Sequence, residues 1–174
     1  MSSKPILGLT MGDPAGIGPE ICLRALRERT VLERCVPVLF GDARMIQRLL
    51  SLESFASHGL KGRAETERTQ ALPWRTISLA EWQEGVTCTE PLLVDCATPD
   101  WDPIEPGQIS AAAGRAGYRS IEEAIRAALA GRIEAVVTAP IHKEALRLSG
   151  VNFPGHTEMF TALTGAPRSC MMLY

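Results

Sequence analysis

The sequence predicts an α/β fold, a parallel or mixed sheet with helices on both of its faces. Three observations predict it. Short apolar runs that stop at glycine or proline read as buried strands. Between them lie stretches whose apolar residues recur at helical spacing. The two patterns alternate through residues 5–50 and again after residue 110, and alternation of this kind favours a parallel sheet covered by helices.

Taken in order, Pro5–Thr10 is a strand broken by Gly12-Asp13-Pro14. Pro19 suits the first helical position, with Ile21, Leu23 and Leu26 following near helical spacing. Val36–Phe40 is the second strand, closed by Gly41, and Asp42 can cap a helix whose apolar face is Met45, Ile46, Leu49 and Leu50. Residues 53–106 read as an irregular surface excursion from the sheet, with short strand candidates at Trp74–Leu79 and Leu92–Val94 and a stiff connection at Pro99, Pro103 and Pro106. A long helix from residue 110 gathers Tyr118, Ile121, Ile125, Ala128 and Leu129 on one face and stops at Gly131. Ile133–Thr138 is a further buried strand. A helix at Lys143–Leu148, a Pro154-Gly155 turn, a helix at Thr157–Leu163 and a strand at Arg168–Tyr174 complete the order. A chain that stops inside an apolar strand reads as a fragment of a longer protein.

Composition narrows the function classes. The 174 residues are 45% hydrophobic and 22% charged, enough apolar surface to offset chain entropy. The 18 Lys and Arg residues are scattered and the net charge is −2, so no basic stripe exists to take up nucleic acid. No apolar run approaches the ~18 residues of a spanning helix, and the short N-terminal run is no signal peptide. Five cysteines without a C-x-x-C pair argue against a disulfide framework and a structural zinc site. The chain reads as soluble and cytoplasmic, with no nucleic-acid or membrane partner.

Three segments could carry chemistry. Gly12–Gly18 joins a strand to a helix, where α/β sheets bind ligands. Its G-x-x-x-G-x-G spacing is neither a P-loop nor the dinucleotide fingerprint, and a tight turn in which Asp13 makes only local hydrogen bonds is the competing reading. Thr138–Lys143 ends another strand; Lys143 could reach an anionic substrate and His142 could hydrogen-bond one, against a lysine that is merely solvated. Phe153–Glu158 places His156 and Thr157 at a helix N-terminus, where free N–H groups favour anions, against plain capping by Thr157. His58, His142 and His156 are too far apart in sequence to suggest a metal site, so no metal ligand is assigned within the chain.

Together these segments resemble the 4-hydroxythreonine-4-phosphate dehydrogenases of vitamin B6 biosynthesis. The resemblance rests on TMGDPAGIGPE (Thr10–Glu20), PGQISAAAGRAGY (Pro106–Tyr118), VVTAPIHKEAL (Val136–Leu146) and FPGHTEMF (Phe153–Phe160), in the family's order. It implies an isocitrate- and isopropylmalate-dehydrogenase-like fold, of which residues 1–174 would be the N-terminal portion of a two-domain enzyme. It also implies oxidation of 4-phosphooxy-L-threonine by NAD or NADP, decarboxylation to an amino-ketone phosphate, a divalent metal (Zn, Mg or Co) and a homodimer. His156 and Thr157 match the family's substrate-binding His and Thr; Asp13 and Lys143 are active-site candidates of unassigned role. The family's three metal-binding histidines belong to motifs that would follow Tyr174, as would most of the NAD site, so the 174-residue chain alone is expected not to turn over. A 4-phosphorylated threonate or erythronate in sugar-acid breakdown is the alternative substrate. The rival classes are an acyltransferase resembling phosphate acetyltransferase and a non-catalytic module that binds a phosphate ester.

Overall fold

The computed structural model describes residues 4–51, 74–97 and 104–172. Its strands are β1 (Ile6–Thr10), β2 (Val36–Gly41), β3 (Arg75–Ser78), β4 (Leu92–Asp95) and β5 (Ala135–Thr138). They form one sheet in the order β3-β4-β2-β1-β5, with every neighbouring pair parallel. The helices are α1 (Gly18–Ala25), α2 (Arg29–Leu32), α3 (Ala43–Ser51), α4 (Leu79–Gly85), α5 (Ala111–Leu129), α6 (Lys143–Leu148) and α7 (His156–Thr164).

Alternation along β2 shows how both faces are covered, because successive side chains point to opposite sides. Leu39 joins Leu9 and Leu93 under Leu23 and Leu26 of the first helical segment and Met45, Ile46 and Leu49 of α3. Val38 and Phe40 join Leu92 and Val94 on the other face, beneath Trp82 of α4 and Ala124 and Ala127 of α5. Phe40 meets Trp82 edge to face at 5.5 Å between ring centroids. The Asp95 carboxylate accepts from the Ala43 N–H at 3.0 Å and ties the end of β4 to the first turn of α3.

The expected α/β architecture is present, and four details differ from the sequence reading. Residues 75–95 are not an excursion: β4 sits inside the sheet between β3 and β2, with Leu92, Leu93 and Val94 buried. The remaining parts of that stretch, 53–73 and 98–103, lie outside the described residues, His58 among them. No strand forms over 168–172; these residues are exposed, Met172 to 88%. An apolar run becomes a strand only where a neighbour supplies ladder hydrogen bonds, and 168–172 pair with none of the described strands. β5 starts two residues later than expected, at Ala135, and is half-exposed rather than buried, with Val137 at 50%.

The fourth difference concerns α5. Its large residues turn away from the sheet: Ile121 and Ile125 pack with Leu146 of α6 and Met159 of α7, while Leu129 is exposed. The small residues Ala113, Ala116, Ala124 and Ala127 face the sheet and its loops instead. Ser110 starts the helix, its hydroxyl accepting from the Ala113 N–H at 3.1 Å.

Candidate active site

The loops after β1 and β5 lie side by side, because the two strands pair with Thr10 opposite Thr138. The β1–α1 loop is held by its own backbone. The Asp13 N–H donates to the Pro140 carbonyl at 2.8 Å, and the Asp13 carbonyl accepts from the Gly16 N–H at 3.0 Å. One Asp13 carboxylate oxygen accepts from the Ala15 N–H at 3.0 Å, a local Asx turn. The Gly107 N–H donates to the Ala15 carbonyl at 2.7 Å and brings the segment before α5 onto the same loop.

Two glycines of this loop serve the chain rather than an open cradle. Gly12 has φ +69°, and a Cβ there would lie 2.3 Å from the Pro140 carbonyl oxygen. A Cβ on Gly18 would lie 2.3 Å from the Met11 carbonyl oxygen. Only glycine permits such approaches.

Asp13 and His142 line one shallow depression together with Gly114 and Gly117 of α5. The sequence offers both residues as candidates without placing them together. His142 is the N-cap of α6: its Nδ1 accepts from the Ala145 N–H at 3.4 Å. An accepting Nδ1 carries no proton, so the neutral ring carries its proton on Nε2. Lys143, the next residue, is exposed. Local hydrogen bonding therefore accounts for one carboxylate oxygen of Asp13 and one nitrogen of His142, and leaves the other atom of each uncommitted among the described residues.

His156 and Thr157 stand elsewhere, in the first turn of α7, and among the described residues no hydrogen bond joins them to Asp13 or His142. The N-cap is Gly155, not Thr157, and no side chain caps the helix. The Thr157 hydroxyl is thereby released from capping. His156 is half-buried, and its Nε2 is fully buried without a partner among the described residues. Burial pushes its pKa below the usual 6.5 and favours the neutral ring. An orphaned ring nitrogen beside an uncapped helix start is a polar site short of one hydrogen-bonding group.

Sequence reasoning singles out the segment around Gly114 and Gly117 as a motif but gives those glycines no role. The available signal is the run Ala111-Ala112-Ala113-Gly114 and Ala116-Gly117, too small for a helix face that packs only side chain on side chain.

Comparison with known proteins shows what the chain is similar to. The chain is 37% identical over 166 residues to a protein of Symbiobacterium thermophilum provisionally named D-threonate 4-phosphate dehydrogenase, covering 95% of this chain and 45% of that protein. Among solved structures, a 4-hydroxythreonine-4-phosphate dehydrogenase from Burkholderia phymatum superposes with a TM-score of 0.70 at 29% identity, over 96% of this chain and 46% of that one. The corresponding enzyme from Klebsiella pneumoniae gives a TM-score of 0.70 at 34% identity, over 93% and 45%. The chain thus spans about half the length of the relatives it matches. The profile of the family described as pyridoxal phosphate biosynthetic protein PdxA matches residues 33–174, and the chain belongs to that family.

Proposed function

We propose that the full-length protein is a cytoplasmic, homodimeric dehydrogenase that uses NAD or NADP and a divalent metal to oxidise a four-carbon hydroxy acid phosphorylated at C4. Residues 1–174 form the N-terminal portion of a two-domain enzyme and supply part of the substrate site. Family membership and the names carried by the relatives support a dehydrogenase over an acyltransferase. The observation that carries the site assignment is the buried, partnerless Nε2 of His156 at the uncapped start of α7.

The described residues do not by themselves fit either cofactor. No three His, Cys, Asp or Glu side chains among them stand where they could share a metal ion. The G-x-x-x-G-x-G spacing of Gly12–Gly18 is not the dinucleotide fingerprint. Accordingly no step is assigned to a cofactor through these residues. What the chain can do is bind and orient. A neutral His156 offers Nε2 to a substrate oxygen, Thr157 adds a hydroxyl, and the free N–H groups of α7 favour a carboxylate or phosphate. Asp13 and Lys143 are assigned to the same active site, Lys143 as an exposed cation for an anionic group and Asp13 as an acceptor held by its turn.

Two substrates follow from one scaffold. 4-Phosphooxy-L-threonine is the first, and a ketone formed at C3 then lets the acid lose carbon dioxide. The name of the Symbiobacterium relative favours 4-phospho-D-threonate as the second. The test is NAD(P) reduction by the full-length protein with each acid. The acid with the higher kcat/KM is the substrate, and turnover of neither overturns the proposal. His156→Gln should lower kcat/KM roughly 10–100-fold, the loss of one hydrogen bond to a charged group. Ready turnover by the 174-residue chain alone would overturn the division between the two portions.

A further inference from the structure

α5 does more than cover the sheet. A Cβ on Gly114 would lie 2.0 Å from the Ala145 carbonyl oxygen and 2.8 Å from the Leu146 nitrogen. One turn further, a Cβ on Gly117 would lie 2.9 Å from the Gly12 carbonyl oxygen and 3.7 Å from the Asp13 nitrogen. Both obstacles are backbone, so neither can swing aside as a side-chain tip could. The two glycines therefore touch different segments, α6 and the β1–α1 loop. Gly114 bears on the residue whose N–H the His142 ring caps. Gly117 bears on the peptide whose N–H links Asp13 to Pro140.

We propose that Gly114 and Gly117 are positioning residues: they seat α6 and the β1–α1 loop directly on α5, and so bring His142 and Asp13 to the lining of one depression. The functional weight of this inference rests on the proposed assignment of Asp13 to the substrate site; its structural part does not. A methyl group at position 114 pushes Ala145 outward and breaks the His142 cap, leaving Asp13 in place. A methyl group at position 117 pushes the Gly12–Asp13 peptide off Pro140, leaving His142 in place.

The test uses nitrogen-15 NMR of the full-length protein. In the unmodified chain His142 should show the Nε2–H tautomer and the Asp13 amide should exchange slowly. Gly114→Ala should convert His142 to a tautomer mixture while Asp13 exchange stays the same. Gly117→Ala should speed Asp13 exchange at least about tenfold while His142 stays the same. Looser packing alone would move both probes in both variants, and that outcome overturns the proposal, as does the absence of any change. If Gly114→Ala does not fold, Gly117→Ala decides, through a selective or an unselective response. Each variant should also weaken binding of 4-phospho-D-threonate or 4-phosphooxy-L-threonine about tenfold. Unaltered affinity in both variants removes the functional weight, whereas failure of the unmodified protein to bind either acid defeats the substrate reading and leaves the NMR result standing.

Discussion

β2 and β5 flank β1 on either side and pair with it in the same parallel sense, yet they live in different environments. All six residues of β2 are buried, between two layers of helix. β5 alternates exposed and half-buried residues and pairs with one strand only among the described residues. The candidate chemistry follows β1 and β5, not β2: Asp13, His142 and Lys143 leave the sheet there, and His156 and Thr157 come one helix later, at the start of α7. The difference teaches that the buried core and the proposed site lie on opposite sides of β1. The β2 side is filled by side chains, and the β5 side is fixed by backbone contacts through Gly12, Gly114 and Gly117.

The contrast is sharpest where it is largest. Phe40→Ala empties the space between Trp82 and the sheet and should cost about 3–5 kcal/mol, read as a lower urea midpoint. A loss below about 1 kcal/mol would mean that the β2 side is not the rigid half. Gly12→Ala comes next, at about 2–4 kcal/mol, because alanine must adopt φ +69° and also displace the Pro140 carbonyl. Its distinguishing mark is spatial: hydrogen exchange should quicken in the β1–α1 and β5–α6 loops and stay slow in β2. Uniform quickening would break the comparison.

How much of this is legible in the sequence follows from the same pair of strands. Val36–Phe40 and Ile133–Thr138 look alike as sequence, β-branched runs bounded by punctuation, and both read as buried strands. Apolar pattern reports what a segment can bury, not how many neighbours it receives, so the exposure of β5 is invisible there. The adjacency of Asp13 and His142 is hidden for a related reason. They are 129 residues apart, and only the strand order, which places β5 beside β1, brings them together. Helices are easier, because caps and helical spacing are local: α3, α5, α6 and α7 all lie where the sequence puts them. The roles of Gly114 and Gly117 depend on which carbonyl approaches α5 and cannot be read from either residue. Met171 and Met172 mislead in the opposite direction, an apolar pair that finds no described partner.

The His156 site gives a prediction on the functional side. Its pKa is lowered by burial, so the unfolded chain holds that proton more tightly than the folded one. The contribution of a neutral His156 is thus fully present above pH ~6.5 and is lost as pH falls below 6.5 toward the lowered folded value. Urea midpoints from pH 7.5 down to pH 5 should fall more steeply in the unmodified chain than in His156→Asn. Parallel pH profiles would mean that the ring is not held neutral by burial.

The smallest effect is the most direct comparison of the two strands. Val137 and Val38 are both strand valines on neighbours of β1, one half-exposed and the other fully buried. Deleting two methyl groups removes the same atoms in either case, but only Val38 leaves a void that its surroundings cannot fill. Val38→Ala should therefore cost about 2 kcal/mol or more, and Val137→Ala should stay within about 0.5 kcal/mol in the 174-residue chain. The same Val137→Ala change in the full-length protein sharpens the reading of two portions. If the remainder of the enzyme packs on β5, the valine becomes a core residue there and its loss should rise toward that of Val38. A value that stays near zero in both contexts would mean that β5 is a true sheet edge, and that the remaining portion of the enzyme docks elsewhere.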